Sequence, residues 1–448
     1  MKQLLAILLL LAASLGLRAE KVRVRLYSAN TISQMNISFD LGAYNLYGIS
    51  ASQGNGLQLI EALVGEGRSV AVYVEGGKVR VSVDATDYGT YDKVRLEATD
   101  TACILCLNPS RCKQRTYEGD LEVSVQGRNN LLLVGDVEFE TYIAGVVQSE
   151  IYGNHPDIFR IQAIISRTWA LRNLGKHQAD GYNFCDGVHC QAYLNRCVRP
   201  DIMLGAIQSS GETLVDSSGV LIETPFHSNS GGQTANSEDV WRNAVPYLRA
   251  VEDTFSYAMR QSDWVKRFSR ERWLGYFAKT HKVDTADDAL RDSLLSFAQP
   301  CRKVRLLGIP LTRIRVDLQL RSTFFSVDVD STSGDVVLHG HGYGHGVGLS
   351  QEGAIRMVNL GIAYDSVLRH YYTGAVLHHD PMATMGNREQ YITQIEQIIE
   401  EDRHKQTQVR AKKDDWLGRL FRLRDREERE EVYNEAEQDN EKDWQYEW

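Results

Sequence analysis

From Lys21 to about Leu133 the chain alternates apolar and polar residues in short runs, the period-two signature of half-buried strands. VRVRL at 22–26 alternates aliphatic residues with arginine. SVAVYV at 69–74 and KVRVSV at 78–83 flank Glu75-Gly76-Gly77, which reads as a hairpin turn. LEVSV at 121–125 and LLLV at 131–134 flank a second turn at Gly127 to Asn130. The pattern predicts an antiparallel sheet domain over residues 20–133.

The period then lengthens. A helix is predicted from about Val137 to Tyr152, with Asp136 as N-cap, Glu138 and Glu140 near the first turn, and Gly153 and Pro156 as stops. A second is predicted from about Ile158 to Leu174, where Ile158, Ile161, Ile165, Thr168 and Arg172 share one flank, with Ile164 and Trp169 beside them. The expected class is α+β: a mostly antiparallel N-terminal region, an α/β catalytic core over 134–385, and a charged helical or partly disordered tail over 386–448. Within that tail ITQIEQII at 392–399 and WLGRLFRL at 416–423 still carry apolar residues.

The first residues, MKQLLAILLLLAASLGLRAE, join a lysine to a short apolar run and then small residues up to Ala19. This reads as a cleaved secretory signal over 1–19, so the mature chain is expected to be exported, periplasmic or extracellular, and not transmembrane. A net charge of -9 gives no broad basic surface, and no nucleic-acid partner is expected. An exported chain can keep disulfides, but seven cysteines leave at least one unpaired within the chain. Cys103, Cys106 and Cys112 lack a nearby fourth ligand, so a disulfide is expected there.

Four segments carry candidate chemistry. VEFETYIAGVVQSE ends in Glu150, which continues the apolar stripe Tyr142–Val146 at the negative end of its helix. Low dielectric and the helix dipole both raise a carboxyl pKa, as a general acid for a glycosidic oxygen requires. A solvent-facing helix-end glutamate fits the same pattern. His177, Cys185, His189 and Cys190, spaced H-x7-C-x3-H-C, offer two thiolates and two imidazoles for a tetrahedral ion; a Cys185–Cys190 disulfide fits equally. TPFHSNSGGQTANSEDVW at 224–241 mixes small hydroxyl and amide residues with Trp241, a mixture that suits a sugar or a plain polar turn. HGHGYGHGVGLSQEGA at 339–354 has neither the Walker spacing nor the dinucleotide fingerprint, and its histidines sit on a glycine-rich loop.

Taken in order, the motifs are E-x-Y-x-x-G-V-V-x-x-E at 140–150, Q-A-x-x-x-R-T-x-A-L at 162–171, and C-D-x-x-H-C-Q-x-Y at 185–193. F-H-S-x-S-G-G-x-T at 226–234, G-Y-G-H-G-V-G-L-S-Q-x-G-A at 342–354 and H-Y-Y-T-G at 370–374 follow. The set resembles the stage II sporulation protein D (SpoIID/LytB) family from about residue 130 to 380, with a weaker likeness at VRVRL. The resemblance implies a lytic transglycosylase that cleaves peptidoglycan glycan strands, especially strands stripped of stem peptides, to 1,6-anhydro-muramic ends. It assigns the acid to Glu150 and implies a structural zinc at His177, Cys185, His189 and Cys190. One carboxylate suffices for that reaction; Glu238, Asp239 and Glu352 are the available partners for a two-carboxylate hydrolase. Ser228, Ser230, Tyr343, His345 and Gln351 are expected to line the glycan groove, with Gly344 and Gly346 giving the sugar room, while His339 and His341 precede the matching motif. The family's amidase-enhancer branch implies the alternative, a glycan-binding protein that stimulates an N-acetylmuramoyl-L-alanine amidase. Cys103–Cys112, the stretch 245–335 and the tail fall outside the family pattern.

Overall fold

The computed structural model describes residues 21–51, 54–100 and 102–379. The expected signal segment 1–19 and tail 386–448 lie outside the described residues.

The N-terminal alternation builds two sheets. One runs Phe184–Cys185, Lys21–Leu26, Asn130–Glu138, Asp120–Gln126, Lys93–Ala98, Ala43–Ile49, Leu57–Gly65. The other runs Arg115–Glu118, Ile104–Pro109, Gln34–Leu41, Ser69–Glu75, Lys78–Val83, Thr86–Tyr91. Apart from the short strand Phe184–Cys185, every pairing in them is antiparallel. Val22, Val24 and Leu26 point inward while the alternate residues stay outside, and residues from both sheets join one apolar core. The first expected hairpin closes at Glu75↔Lys78, and Gly76 and Gly77 both take positive φ (58° and 78°), which the tight turn demands.

Strand Asn130–Glu138 runs straight into helix Phe139–Glu150, so the expected domain boundary at 133/134 falls inside a strand. Strand Lys21–Leu26 pairs with Asn130–Glu138 on one side and with Phe184–Cys185 on the other, binding the start of the chain to the segment that carries the cysteines. Asp136 is not the helix N-cap. It lies in the strand and is held by Arg23 and Arg95, both at 2.9 Å; the cap position belongs to Glu138, which makes no side-chain cap bond.

Helix Phe139–Glu150 is buried along most of its length and packs on helix Pro156–Arg172. The second helix begins at Pro156, where a missing N–H costs nothing, and His155 caps it by accepting from the Asp157 N–H. Arg167, fully buried, donates to both oxygens of Glu140 at 2.9 and 2.6 Å and to the carbonyls of Ala206 and Ser209 at the end of helix Pro200–Gln208. One guanidinium thereby ties three helices together.

Residues 263–341 form a smaller α+β unit with its own core. Strands Phe324–Val329, Val336–His341 and Asp263–Phe268 pair antiparallel, and Trp273, Phe277, Leu294, Ile314 and Phe325 are buried beneath them. Its central strand ends at His341 and feeds the glycine loop 342–348, and its helix Leu311–Asp317 carries Arg315.

Candidate functional site

Helix Phe139–Glu150 delivers Glu150 to a cleft of about 570 Å³, within the range typical of small-ligand sites. Trp169 lines it from helix Pro156–Arg172 and Gln191 from the loop after Cys190, Thr224 to Ser228 and Trp241 from the polar segment, and Tyr343 to His345 with Gln351 from the glycine-rich segment. His189, Cys190, Lys176 and Arg315 complete its edge. Five of the six motifs thus contribute to one wall or another, and Tyr371 and Tyr372 of the sixth are buried in the core.

Glu150 is half-buried, and its Oε1 accepts from the Ala192 N–H at 2.7 Å. Burial pushes its carboxyl above the ordinary glutamate value, and the Ala192 bond only partly offsets this. Its position at the last turn of the helix acts in the same direction. Among the residues lining the cleft it is the only carboxylate.

The alternative carboxylates are committed elsewhere. Glu352 is fully buried, with Oε1 accepting from Tyr152 and Oε2 from Asn229 and the Gln261 N–H. Arg249 grips Glu238 and holds its carboxyl down to about 2. Asp239 accepts from Asn236 and does not line the cleft.

Ser228, Tyr343, His345 and Gln351 reach the cleft as the sequence suggests; Ser230 does not. Ser230 is fully buried and donates to Asp253 at 2.7 Å, so its hydroxyl serves the core. Gln351 donates to the Glu150 backbone carbonyl at 2.9 Å and to Gln162 at 3.3 Å. His345 is fixed as well: its Nδ1 accepts from the Val347 N–H, its ring lies between His227 and Trp241 at 5.5 and 5.2 Å, and burial lowers its pKa to about 4. It enters the cleft as a neutral, oriented ring.

The space a side chain would take at Gly344 or Gly346 is already filled by the protein, although Gly344 itself lines the cleft. A Cβ at Gly344 would meet the His227 Cβ at 2.6 Å, and one at Gly346 would meet the Arg302 guanidinium at 3.1 Å; both also take positive φ. The close approach is protein against protein. His341 pairs with Asp263 at 2.8 Å on its strand, and neither it nor His339 lines the cleft. Residues that composition alone did not mark are Phe226, His227, Lys176 and Arg315. The first two flank Ser228 in a quoted motif; Arg315 comes from the stretch without any motif.

The His/Cys cluster closes at the cleft's edge. Ligand atoms of His177, Cys185, His189 and Cys190 all lie within 4.8 Å of one another. The Cys190 Sγ is 3.5 Å from His177 Nε2 and 3.8 Å from His189 Nδ1, and the Cys185 Sγ is 3.7 Å from His189 Nδ1. Metal–ligand lengths of about 2.0–2.1 Å to nitrogen and 2.3 Å to sulfur, set tetrahedrally, give N···S edges of about 3.6 Å. The donor set therefore fits such an ion. Asp180 sits 3.2 Å from His177 Nδ1, which turns the Nε2 lone pair toward the sulfurs. All seven cysteines are free thiols, including Cys103, Cys106 and Cys112, where a disulfide was expected: Cys103 is buried against Gly42 and the Ala43 carbonyl instead.

Residues 127–215 match the SpoIID family, described as "Stage II sporulation protein". The chain is 24% identical over 257 residues to the stage II sporulation protein D of Bacillus subtilis (strain 168), covering 54% of this chain and 74% of that protein. To the Bacillus amyloliquefaciens stage II sporulation protein D it is 26% identical over 271 residues, with 54% and 74% covered. It is also 24% identical over 374 residues to the amidase enhancer of Bacillus subtilis (strain 168), covering 65% of this chain and 50% of that protein, so it spans about half that relative's length. The chain resembles the SpoIID family over residues 127–215 and these relatives over a longer span, and the matches support a cell-wall related function. Among the described residues no helix is long and apolar enough to cross a membrane.

Proposed function

We propose that this chain is an exported lytic transglycosylase acting on peptidoglycan glycan strands, with Glu150 as its single acid/base. The observation that carries the reading is that Glu150 is the sole carboxylate lining the cleft and that burial keeps its proton on to higher pH. In the proposed reaction Glu150 gives its proton to the oxygen between N-acetylmuramic acid and N-acetylglucosamine. The departing sugar takes the bond electrons with that proton. The Glu150 carboxylate then accepts the proton of the muramic C6 hydroxyl as its oxygen bonds to C1, leaving a 1,6-anhydro end. No second carboxylate is needed, and water need not enter. Trp169, Trp241 and Tyr343 offer flat faces for the sugar rings, and Ser228 offers a hydroxyl.

Under this reading His177, Cys185, His189 and Cys190 would hold zinc. Four protein ligands leave no open position, so the ion would stabilise the loop that forms the cleft's edge.

A second reading has one specific support: the amidase-enhancer match covers more of this chain than the sporulation-protein matches do. In that reading the cleft binds glycan without cutting it and the protein stimulates a cell-wall amidase. Mass spectrometry of peptide-free glycan strands decides. Anhydro-ended fragments from the parent and none from Glu150→Gln support the enzyme. Binding without cleavage by either, with an amidase stimulated equally by both, supports the enhancer.

A further inference from the structure

The cleft gathers basic groups on the wall that carries Tyr343. Burial together with the neighbouring Arg315 and Arg302 holds the imidazole of His345 low, and the same cations add to the burial that lowers His227. Four permanent cations lie at or beside the cleft, and three are already engaged. Arg321 lies over the Tyr343 ring, 5.2 Å from its centroid. Lys176 donates to the His189 carbonyl at 2.5 Å. Arg302 donates to the carbonyls of Gln233 and Ser230, both at 2.6 Å. Arg315 differs. Its Nε makes one long bond to the Arg321 carbonyl at 3.3 Å, and its two terminal nitrogens have no partner among the described residues.

Nor does Arg315 have a counter-ion. It forms no ion pair among the described residues, although its near neighbour on the same helix, Arg313, pairs with Asp317 at 2.8 Å. Burial lowers its pKa, which marks a guanidinium held partly out of water without compensation. An uncompensated, half-buried fork at the edge of a ligand cleft is a site for a bidentate anion, because a carboxylate supplies two acceptors at matching spacing. A second polar group on the same wall is unsatisfied: the Nε2 of His227 is buried and has no partner among the described residues. His227 Nδ1 lies 3.2 Å from the Val347 carbonyl, so in the neutral ring Nδ1 donates and Nε2 is left as an acceptor. Fork and acceptor together suit a sugar that carries a carboxylate beside a hydroxyl or amide N–H.

We propose that Arg315 is a specificity residue that binds the lactyl carboxylate of an N-acetylmuramic acid unit in the cleft. The proposal rests on the glycan reading above. In a strand that still bears stem peptides this carboxyl is tied up as a neutral amide, which cannot accept a fork in the same way. Arg315 would thus sense the absence of peptide directly.

The test uses binding in the Glu150→Gln background, where no strand is cut. Three probes are compared: peptide-free glycan strands, the same strands with carboxyls converted to methylamides, and chitin oligosaccharides, which have no carboxyl. Losing one bidentate charge-assisted contact should weaken binding of the free-carboxyl strands about tenfold in Arg315→Gln. The two uncharged probes should bind Arg315→Gln and its parent alike. Arg315→Lys should retain part of the preference, and circular dichroism checks that each variant is folded. Equal weakening on all three probes, or none on any, overturns the assignment while leaving the glycan reading intact. A parent that binds none of the three probes overturns both.

Discussion

The side-chain amide of Gln351 donates to the backbone carbonyl of Glu150 across 201 residues of sequence. That carbonyl belongs to the last turn of its helix, where no intrahelical donor is available. The same amide reaches Gln162 on the neighbouring helix, so one residue of the glycine-rich segment fixes where the helix of Glu150 ends. Gln351→Ala should leave these groups with one donor fewer and let Glu150 shift. An error of about 1 Å at a reacting group can cost on the order of a hundredfold. Here, with Ala192 still holding the carboxylate, kcat should fall about tenfold while KM changes little. A fall in kcat/KM carried wholly by KM would show that Gln351 acts as a substrate contact instead.

The raised pKa of Glu150 has a stability consequence of definite sign. The folded protein holds this proton more tightly than the unfolded chain does. The stabilisation it brings is therefore fully present below the unfolded value of about 4.3 and lost as pH rises through the higher folded value. Glu150→Gln removes the penalty of a half-buried anion. The variant should melt about 2 °C above the parent at pH 8 and alike at pH 4. Thermal melts at the two pH values check this. If the proposed reaction holds, the rate of glycan cleavage should decline toward alkaline pH through the same folded pKa, since that reaction starts from the acid form. Identical melting of the two proteins at both pH values would mean that Glu150 ionises as an ordinary surface glutamate.

Much of this was legible along the chain. Strand alternation marked the antiparallel N-terminal region, though not its division into two sheets, and Glu75-Gly76-Gly77 marked the hairpin, because a period of two and a pair of positive-φ residues are local properties. The helix starts were less readable. His155 is not among the usual capping residues, and Asp136, which is, was claimed by Arg23 and Arg95 from other strands. In the site, residue type showed which segments are polar but not which way each side chain faces. Ser230 and Ser228 are two residues apart in one motif; one bonds Asp253 in the core and the other lines the cleft. Arg315 carried no signal, because its place at the cleft depends on a glycine loop that joins its unit to the cleft.

The buried pair Glu140–Arg167 makes a sharp stability prediction. Arg167 is 0% exposed and Glu140 5%, so removing either leaves a charge without water or partner. Arg167→Ala should cost about 3–5 kcal/mol, seen as a lowered urea midpoint, and should also free the carbonyls of Ala206 and Ser209. Replacing both residues by apolar ones of similar volume should cost less than the single change. An exposed pair such as Arg199–Asp201 should shift the midpoint by less than about 1 kcal/mol when broken. If Arg167→Ala were no worse than that control, the three helices would not depend on the guanidinium.

The His/Cys cluster predicts one zinc per chain, and its neighbours predict how tightly. Cys185→Ser and Cys190→Ser each remove a thiolate from a four-ligand set, and metal analysis of purified protein should show the zinc lost or substoichiometric. Among the described residues the Asp180 carboxylate bonds no other member of the set, yet it orients His177 through Nδ1. Asp180→Asn should therefore keep the zinc but weaken it about tenfold in competition with a chelator. Strand Phe184–Cys185 is paired to Arg25, and His189 and Cys190 form part of the cleft's edge. Stripping the ion should accordingly lower the melting temperature and loosen glycan binding together. It should not abolish cleavage by protein that stays folded, because Glu150 is held by Ala192 and Gln351 rather than by the cluster. Full zinc content in both cysteine variants would place any metal elsewhere.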